Sequence, residues 1–176
     1  MQDRTGDKLF QKRLVRIMQV THPFPPLYDK NSTILILGSF PSVKSREQLF
    51  FYGHPQNRFW KVIANVFGDS VPTTIQEKKD LLRKHHIALW DVIKSCDIEG
   101  SSDSSISGVV PNDLSEIFAG ADIQKIIVNG KTAEKYFNKY TRDVIRKDAI
   151  CLPSTSPANA AWSLDRLTEA WGKHLN

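Results

Sequence analysis

Apolar residues along the chain alternate between short continuous runs and stretches with helical spacing. Residues 33–37 form an apolar run that ends at Gly38, which is typical of a strand buried on both faces of a parallel sheet. Similar runs predict three more strands, at residues 87–92, 125–129 and 149–152. Because helix-spaced segments separate these strands, the sequence predicts an α/β fold, a three-layer α/β/α sandwich around a short, mainly parallel four-stranded sheet.

Helical spacing is clearest at residues 57–68, where Gly68 ends the pattern; further helices are predicted at residues 75–86, 112–119, 132–140 and 162–175. Residues 1–18 predict a polar, helical extension before a proline-rich break at residues 22–26. We therefore divide the chain into an N-terminal extension (residues 1–20) and one domain (residues 21–176). Serine-rich residues 101–107 predict a surface loop.

Composition narrows the class of protein. A chain of 176 residues with 40% hydrophobic content can bury one sizeable core. Cys96 and Cys151 lie far apart, with no His or Cys at metal-ligand spacing, so we expect no metal, no cofactor and a reducing environment. No apolar run approaches the roughly 20 residues that span a bilayer and no leader pattern is present, so we expect a cytoplasmic protein without membrane contact. We also expect it to be a monomer.

The positive charge is unevenly placed. Of the net charge of +5, residues 1–17 contribute +3, from five basic and two acidic side chains. A second basic cluster is consistent with nucleic-acid binding or with an ordinary solvated helix face; its members are Lys125, Lys131, Lys135, Lys139, Arg142, Arg146 and Lys147. Bulk charge is therefore weak evidence for a nucleic-acid partner.

Unusual loops follow three of the predicted strands. Ligands of open parallel sheets bind beyond the carboxyl ends of the strands, so these loops are expected to share one edge. They comprise residues 38–42 (Gly-Ser-Phe-Pro-Ser), 129–132 (Asn-Gly-Lys-Thr) and 153–159 (Pro-Ser-Thr-Ser-Pro-Ala-Asn), joined by residues 52–60 (Tyr-Gly-His-Pro-Gln-Asn-Arg-Phe-Trp) at the start of a helix. Each loop alone is consistent with a simple turn or helix cap; together they supply amides, hydroxyls and an aromatic face.

The order of these segments resembles the uracil-DNA glycosylase superfamily, and within it the hypoxanthine-DNA glycosylases. Residues 89–92 (Leu-Trp-Asp-Val) and 95–97 (Ser-Cys-Asp) are similar to the same branch, so the resemblance covers roughly residues 21–175. It implies hydrolysis of the N-glycosidic bond of a base flipped out of the duplex. The implied partner is DNA that contains a deaminated base.

The resemblance also implies which residue is catalytic. Related branches carry an Asn or an Asp where this chain has Phe40, and a phenyl ring cannot orient or deprotonate water. The hypoxanthine branch implies Asn57 instead, with its carboxamide accepting a hydrogen bond from water. Asn57 is equally a natural cap for the predicted helix.

For base binding, the resemblance implies stacking on Tyr52, a wall formed by Phe40 and edge recognition by Asn129. The backbone amides of Gly38, Ser39 and Phe40 are expected to bond the base carbonyls. DNA contacts are expected from the loop after the last strand and from one lysine, with the serines near the N-terminus of the last helix; these residues are Ser154, Ser156, Pro157, Ala158, Asn159 and Lys131. Unlike other branches, this loop has no His or Arg.

Three alternatives stay open. The first is the same reaction on uracil, because pocket volume cannot be read from sequence. The second is a catalytically inactive nucleic-acid-binding domain, which the missing carboxylate at position 40 favours. An unrelated phosphate-binding hydrolase is disfavoured, since the chain contains no GxxxxGK[ST], GxSxG or HExxH pattern. Nothing around Lys131 favours the depressed amine that a Schiff-base lyase needs.

Overall fold

The computed structural model describes residues 18–176. In chain order its strands and helices are β1 (Met18–Thr21), β2 (Ile34–Gly38), α1 (Val43–Gln48), α2 (Phe59–Phe67), α3 (Ile75–Lys84), β3 (Ile87–Asp91), β4 (Ile93–Ile98), β5 (Ser107–Pro111), α4 (Ser115–Gly120), β6 (Lys125–Asn129), α5 (Lys131–Tyr136), α6 (Arg142–Ile145), β7 (Ile150–Leu152) and α7 (Leu164–Leu175). A short 3₁₀ turn covers Asp103–Ser105, and a π-helical turn, Phe137–Thr141, links α5 to α6.

Strands β3, β2, β6 and β7 form one sheet in that order, and all three pairings are parallel. Leu35, Ile36 and Leu37 of β2 are fully buried, as expected for a central strand covered on both faces. The chain runs from β2 to one side at β3 and later to the other side at β6. Because crossovers are almost always right-handed, this reversal places helices on both faces of the sheet. The predicted α/β architecture is confirmed.

The predicted strands of this sheet agree with the structure to within one residue at each end. The predicted helices at residues 57–68, 75–86 and 162–175 correspond to α2, α3 and α7, and each is slightly shorter than predicted. Helix α2 buries one face against α7, where Phe59 meets Trp171 edge to face at 6.1 Å between ring centroids. The predicted helix at residues 132–140 is α5 continued by the π-helical turn, and that at residues 112–119 is α4.

A second sheet was missed by the sequence analysis. Strands β1, β4 and β5 pair antiparallel in the order β1-β4-β5. These strands mix polar and apolar residues and contain irregular pairing between β4 and β5, so their periodicity is weak. Only Val92 separates β3 from β4, and the chain passes from the first sheet directly into the second.

Two segments that were predicted as a loop and as a helical extension contribute residues to strands of this second sheet. The predicted loop at residues 101–107 contains the 3₁₀ turn, and its last residue begins β5. Strand β1 crosses the proposed boundary at residue 20, so the predicted helical extension ends in a strand that pairs with β4. Residues 1–17 of that extension lie outside the described residues. The division into an extension and one domain stays a prediction.

Candidate active site

A cavity of about 470 Å³ opens at the carboxyl ends of β2 and β6, where the strand order reverses. Such a switch point separates the loops of neighbouring strands and is the usual ligand site of open parallel sheets. The predicted residues that line it are Gly38, Ser39, Phe40, Tyr52, Asn57, Asn129, Ser154, Ser156, Pro157 and Ala158. The structure thus brings together all but two of the residues singled out from sequence, and the exceptions are Lys131 and Asn159.

The loop after β2 presents free amides to this cavity. The carbonyl of Gly38 accepts a hydrogen bond from Val92 N at 2.8 Å, and that of Ser39 accepts from Ile93 N at 3.1 Å. These bonds continue the pairing of β2 beyond its end and fix the loop. Neither Ser39 N–H nor Phe40 N–H donates to another group among residues 18–176. Two donors on a fixed backbone of the cavity lining thereby remain unused within the described residues.

Tyr52 adopts a conformation that is rare for a bulky residue. Its φ is 51°, in the left-handed region, which costs free energy and persists where the surroundings impose it. One face of its ring stacks on Phe59, with ring centroids 4.0 Å apart and an angle of 19° between the planes. Tyr52 lines the cavity as well, so a ring that is held by the core forms part of the cavity wall.

Asn57, Thr155 and Asn129 form a connected hydrogen-bond network across the cavity. Thr155 Oγ1 accepts from Asn129 Nδ2 at 3.0 Å and donates to Asn57 Oδ1 at 2.9 Å. The backbone N–H of Thr155 donates to Asn129 Oδ1 at 3.1 Å. Thr155, which sequence reasoning did not select, is fully buried and joins two predicted site residues that lie 72 positions apart in the chain numbering. Its place between two serines of the last strand-end loop was the available signal.

The network fixes which atom of Asn57 faces the cavity. Asn57 Oδ1 also accepts from Phe59 N at 2.9 Å, so the residue, one position before the N-cap Arg58, bonds the first residue of α2 while lining the cavity. With Thr155 as its second donor, Oδ1 has both of its lone pairs engaged. Nδ2 has no partner within the described part of the chain. From the sequence, the carboxamide oxygen of Asn57 is expected to accept a hydrogen bond from water. In the structure this oxygen is engaged, and the amide nitrogen, a donor, is left for a ligand.

Asn129 is similarly committed. Its oxygen and its nitrogen each form one bond with Thr155, which leaves one N–H and one lone pair for a base. Recognition of the base edge by Asn129 stays a prediction, because one donor and one acceptor of its amide remain. Gly130 follows with a φ of 95°, and a Cβ there would lie 2.8 Å from Ser154 Cβ, so only glycine lets β6 and the last loop approach this closely.

Arg58 holds the loop at residues 153–162. Its guanidinium donates to the carbonyls of Ser156 at 3.0 Å, of Asn159 at 3.1 Å and of Trp162. Its backbone N–H donates to the carbonyl of Thr155 at 3.1 Å. Sequence reasoning missed this residue, because bonds to backbone carbonyls leave no pattern in the side chains of the loop.

The remaining predicted DNA contacts lie around the mouth of the cavity. Ser154 Oγ accepts from Ser156 N at 3.1 Å, and Ser156 Oγ accepts from Ala158 N at 3.2 Å, which folds the loop into successive turns. Asn159 does not line the cavity; its Nδ2 donates to the carbonyl of Ser154 at 2.9 Å. Helix α7 begins only at Leu164, so the two serines belong to the loop and not to the first turn of the last helix, which corrects the expectation.

Lys131 lies at the start of α5, outside the cavity. Its side chain is 85% exposed and pairs with Glu134 at 3.3 Å. The hydrogen bond to Glu134 raises the pKa of Lys131, whereas a Schiff-base lysine needs a lowered pKa. The geometry thus suits a charged surface contact rather than a nucleophile.

Asp91 is a buried carboxylate that the sequence analysis did not assign to the site. It ends β3 beside Gly38, lines the cavity and is 5% exposed. Its Oδ2 lies 2.7 Å from Nε2 of His22, whose side chain is 2% exposed. The signal in the sequence was a polar side chain at the end of a strand, a feature that Asp91 shares with Asn129.

A second hollow, of about 530 Å³, lies between residues 69–73 and α3. It is open to solvent and contains none of the residues of the strand-end loops, and two of its charged residues, Asp69 and Lys84, are paired with each other. We therefore place the site in the first cavity. Among residues 18–176, no group of three or more His, Cys, Asp or Glu side chains is arranged to hold a metal ion. No helix of residues 18–176 has both the length and the apolar character needed to cross a membrane.

This chain belongs to the uracil DNA glycosylase superfamily. The family model matches residues 25–174, and this range includes every residue of the cavity. It is 37% identical over 148 residues to a hypoxanthine DNA glycosylase of Methanosarcina acetivorans, covering 83% of this chain and 92% of that protein. A hypoxanthine DNA glycosylase of Methanosarcina barkeri is 35% identical over 115 residues, covering 64% of this chain and 73% of that protein.

The fold is similar to a solution NMR structure of a candidate uracil DNA glycosylase from Methanosarcina acetivorans. The TM-score is 0.75 at 33% sequence identity, and the match covers 90% of this chain and 97% of that one. The recognition of the family from its strand-end loops is therefore confirmed.

Proposed function

We propose that this protein is a monofunctional DNA glycosylase that hydrolyses the N-glycosidic bond of deoxyinosine and releases hypoxanthine. The observation that carries the proposal is the cavity at the switch point, where Asn57 is fixed through its oxygen and offers its amide nitrogen to a ligand. Two relatives, similar over 148 and 115 residues, are named hypoxanthine DNA glycosylase, which supports this choice of base. The cavity volume lies within the range of about 300–1,000 Å³ that is usual for ligand pockets.

Capture of the base requires the nucleotide to leave the duplex and enter the cavity. The free face of Tyr52 provides a stacking surface, and Phe40 provides a second apolar wall. We expect the amides of Ser39 and Phe40, next to Gly38, to bond a base carbonyl. Asn129 contributes the one N–H that Thr155 leaves free.

Bond cleavage gives the sugar oxocarbenium character and puts negative charge on the departing base. We assign Asn57 Nδ2 as a hydrogen-bond donor to the reacting atoms, since a fixed donor in a partly closed cavity stabilises developing negative charge without reorganisation. Its oxygen remains bonded to Phe59 N and Thr155 throughout. This role needs no proton transfer by Asn57, whose amide is a poor base.

DNA is expected to lie across the loop at residues 153–162. The hydroxyl and amide groups of Ser154 and Ser156 would bind phosphates flanking the lesion, while Pro157 and Ala158 face the vacated position in the duplex. Asn159 supports this loop through Ser154, and Lys131 would contact a phosphate from its exposed position. A monomeric state and a cytoplasmic location stay predictions.

The test measures base release from duplexes that contain inosine, uracil, xanthine or ethenocytosine, by alkaline cleavage of the abasic product. We expect release from inosine and no strand cleavage without alkali. Efficient release of uracil with none from inosine would replace the proposal with the uracil alternative. Release from none of the four duplexes would favour a non-catalytic DNA-binding domain.

Two substitutions at position 57 separate the possible roles of Asn57. Asn57→Asp keeps an oxygen for the bonds from Phe59 and Thr155 but removes the donor, and Asn57→Ala removes both. We expect both variants to lose roughly 10²–10³-fold in kcat, the usual cost of removing one such donor. An Asn57→Asp variant that retains wild-type activity would show that position 57 acts as an acceptor or base.

A further inference from the structure

The antiparallel sheet places another carboxyl group at the cavity. Asp103 lies in the 3₁₀ turn between β4 and β5, lines the cavity and contacts the loop after β2 through Ser39. Neither the capture of the base nor the role of Asn57 described above uses this carboxyl. Its position beside the backbone amide of Ser39 indicates a function in the reaction.

The segment that carries Asp103 is bonded to α1, which directly follows the loop after β2. Ser101 Oγ accepts a hydrogen bond from Val43 N at 2.9 Å. Arg46 Nη2 donates to the carbonyl of Gly100 at 3.0 Å. These two bonds join the second sheet to the first at the cavity, so they restrict the movement of Asp103 relative to the loop after β2.

The carboxyl group of Asp103 is held by two hydroxyl groups. Ser39 Oγ donates to Asp103 Oδ1 at 3.4 Å, and the side chain of Thr132 bonds the same carboxyl. The residue as a whole is exposed at the cavity mouth, but burial of its carboxyl raises the pKa, and the nearby charge of Asp91 raises it further. The two hydrogen bonds oppose this rise only in part. The acid form of Asp103 is therefore more populated than that of an ordinary surface carboxyl.

The neighbouring amides determine which atom of the base meets this acid. Hypoxanthine has one carbonyl oxygen, O6, which we expect on the amides of Ser39 and Phe40. O6 has two neighbours on the base, the N1–H donor and the N7 acceptor. A protonated carboxyl beside Ser39 is a donor, so it matches N7. Uracil has a carbon, C5, next to its O4 oxygen and cannot accept a proton there.

We propose that Asp103 is a general acid that protonates N7 of the flipped hypoxanthine as the bond between C1′ and N9 breaks. This inference rests on the proposed excision of hypoxanthine. The proton moves from the Asp103 carboxyl to N7, the electron pair of the broken bond passes into the ring, and the base leaves as neutral hypoxanthine. Water adds to C1′ and releases one proton to solvent, from which Asp103 is protonated again.

Binding of the base itself favours the acid form. An ionised Asp103 would face the lone pair of N7, and this repulsion is relieved when the carboxyl carries its proton. Asn57 Nδ2 and Asp103 then act on the same developing charge, one by donating a hydrogen bond and the other by transferring a proton. A general acid typically contributes about 10²–10⁴-fold to the rate.

The first experiment substitutes Asp103→Asn, which keeps the size of the side chain and a donor toward N7 but has no proton to transfer. For single-turnover excision from an inosine duplex at saturating enzyme, we expect the rate to fall roughly 10²-fold. Asp103→Glu, which keeps an acid, should recover part of this loss. Asp122→Asn, an exposed carboxylate outside the cavity, is the matched control and should behave as wild type.

The pH profile separates proton transfer from a structural role. The wild-type rate should fall as pH rises through the pKa of Asp103, because only the protonated carboxyl is an acid. Asp91, Cys96 and Tyr136 are the titratable groups that interact with Asp103, and His54 also lines the cavity. Asp103→Asn changes none of these groups, so loss of the fall in this variant assigns it to Asp103. A fall that persists unchanged in the folded variant would overturn the proposal.

A second measurement leaves the protein unchanged and applies even if Asp103→Asn does not fold by circular dichroism. Wild-type enzyme is compared on inosine and 7-deazainosine, which keeps O6 and N1–H but has a carbon in place of N7. We expect no detectable release of the deaza base, and equal release of the two bases would overturn the role of Asp103. Failure of the wild-type enzyme on inosine itself would instead overturn the proposed function.

Discussion

Replacing Thr155 with Val removes the hydroxyl that joins the two asparagines of the site but keeps the shape of the side chain. Thr155 is fully buried, so the substitution leaves no room for a compensating water at its own position. Asn129 Nδ2 loses an acceptor at 3.0 Å, and Asn57 Oδ1 loses a donor at 2.9 Å. Both asparagines are half-buried, which allows partial rehydration from the cavity.

An unsatisfied buried polar group costs about 1–3 kcal/mol, and we take about 2 kcal/mol for the pair because of the rehydration. At roughly 2–4 °C per kcal/mol for a domain of this size, the melting temperature should fall by about 4–8 °C. Asn57 would then be held by its bond to Phe59 alone. Since small misplacement of a reacting group can cost about 10²-fold in rate, we expect kcat for inosine to fall roughly 10- to 100-fold.

The assay combines thermal unfolding by circular dichroism with single-turnover excision from an inosine duplex. Thr155→Ser is the matched control, because it keeps the hydroxyl and loses one methyl, worth about 0.8 kcal/mol. It should melt slightly lower than wild type and retain its kcat. If Thr155→Val lowers the melting temperature yet leaves kcat unchanged, or if Ser is as impaired as Val, the network does not position Asn57 and the reasoning is refuted.

Two other perturbations test the surroundings of the site. Arg58→Met removes three hydrogen bonds to the carbonyls of the loop at residues 153–162. We expect at least tenfold weaker binding to abasic-analogue DNA, measured by fluorescence anisotropy. Catalysis of bound substrate should be less affected. Arg83→Met, which removes an exposed ion pair with Asp80 on α3, is its control, and equal effects of the two would contradict the role of Arg58. Glu77 belongs to the capping box of α3, and hydrogen bonds from the backbone N–H groups of Thr73 and Thr74 lower the pKa of its carboxyl. The stabilising effect of the ionised carboxylate is therefore present at neutral pH and is lost as the pH falls below the ordinary carboxyl range. The difference in melting temperature between wild type and Glu77→Gln should therefore shrink between pH 7 and pH 3, and a constant difference would argue against the cap.

The parallel sheet could be predicted because its strands are short, largely apolar runs, two of which end at glycine or asparagine. Strands β1, β4 and β5 could not, since exposed Lys94 and half-buried Asp97 interrupt the apolar positions of β4. An antiparallel sheet of this kind is defined by its partners, which periodicity within one strand does not reveal.

The site was predictable to the extent that its members end strands. Residues of the loops after β2, β6 and β7 meet at one edge, as parallel topology requires. The orientation of Asn57, by contrast, depends on Thr155, 98 positions away, and that of Asp91 depends on His22, 69 positions away. Contacts over such separations arise from tertiary packing, so the chemistry of each amide or carboxylate oxygen could be assigned only from the structure.

The bond between Asn57 and Thr155 also has a consequence for the way in which the molecule acquires activity. Helix α2 has nine residues and depends on tertiary packing, and the loop that carries Thr155 follows β7, which pairs with β6. During refolding from denaturant, recovery of excision should therefore not precede recovery of the helical signal. For this protein, regained turnover is a more stringent measure of renaturation than ellipticity.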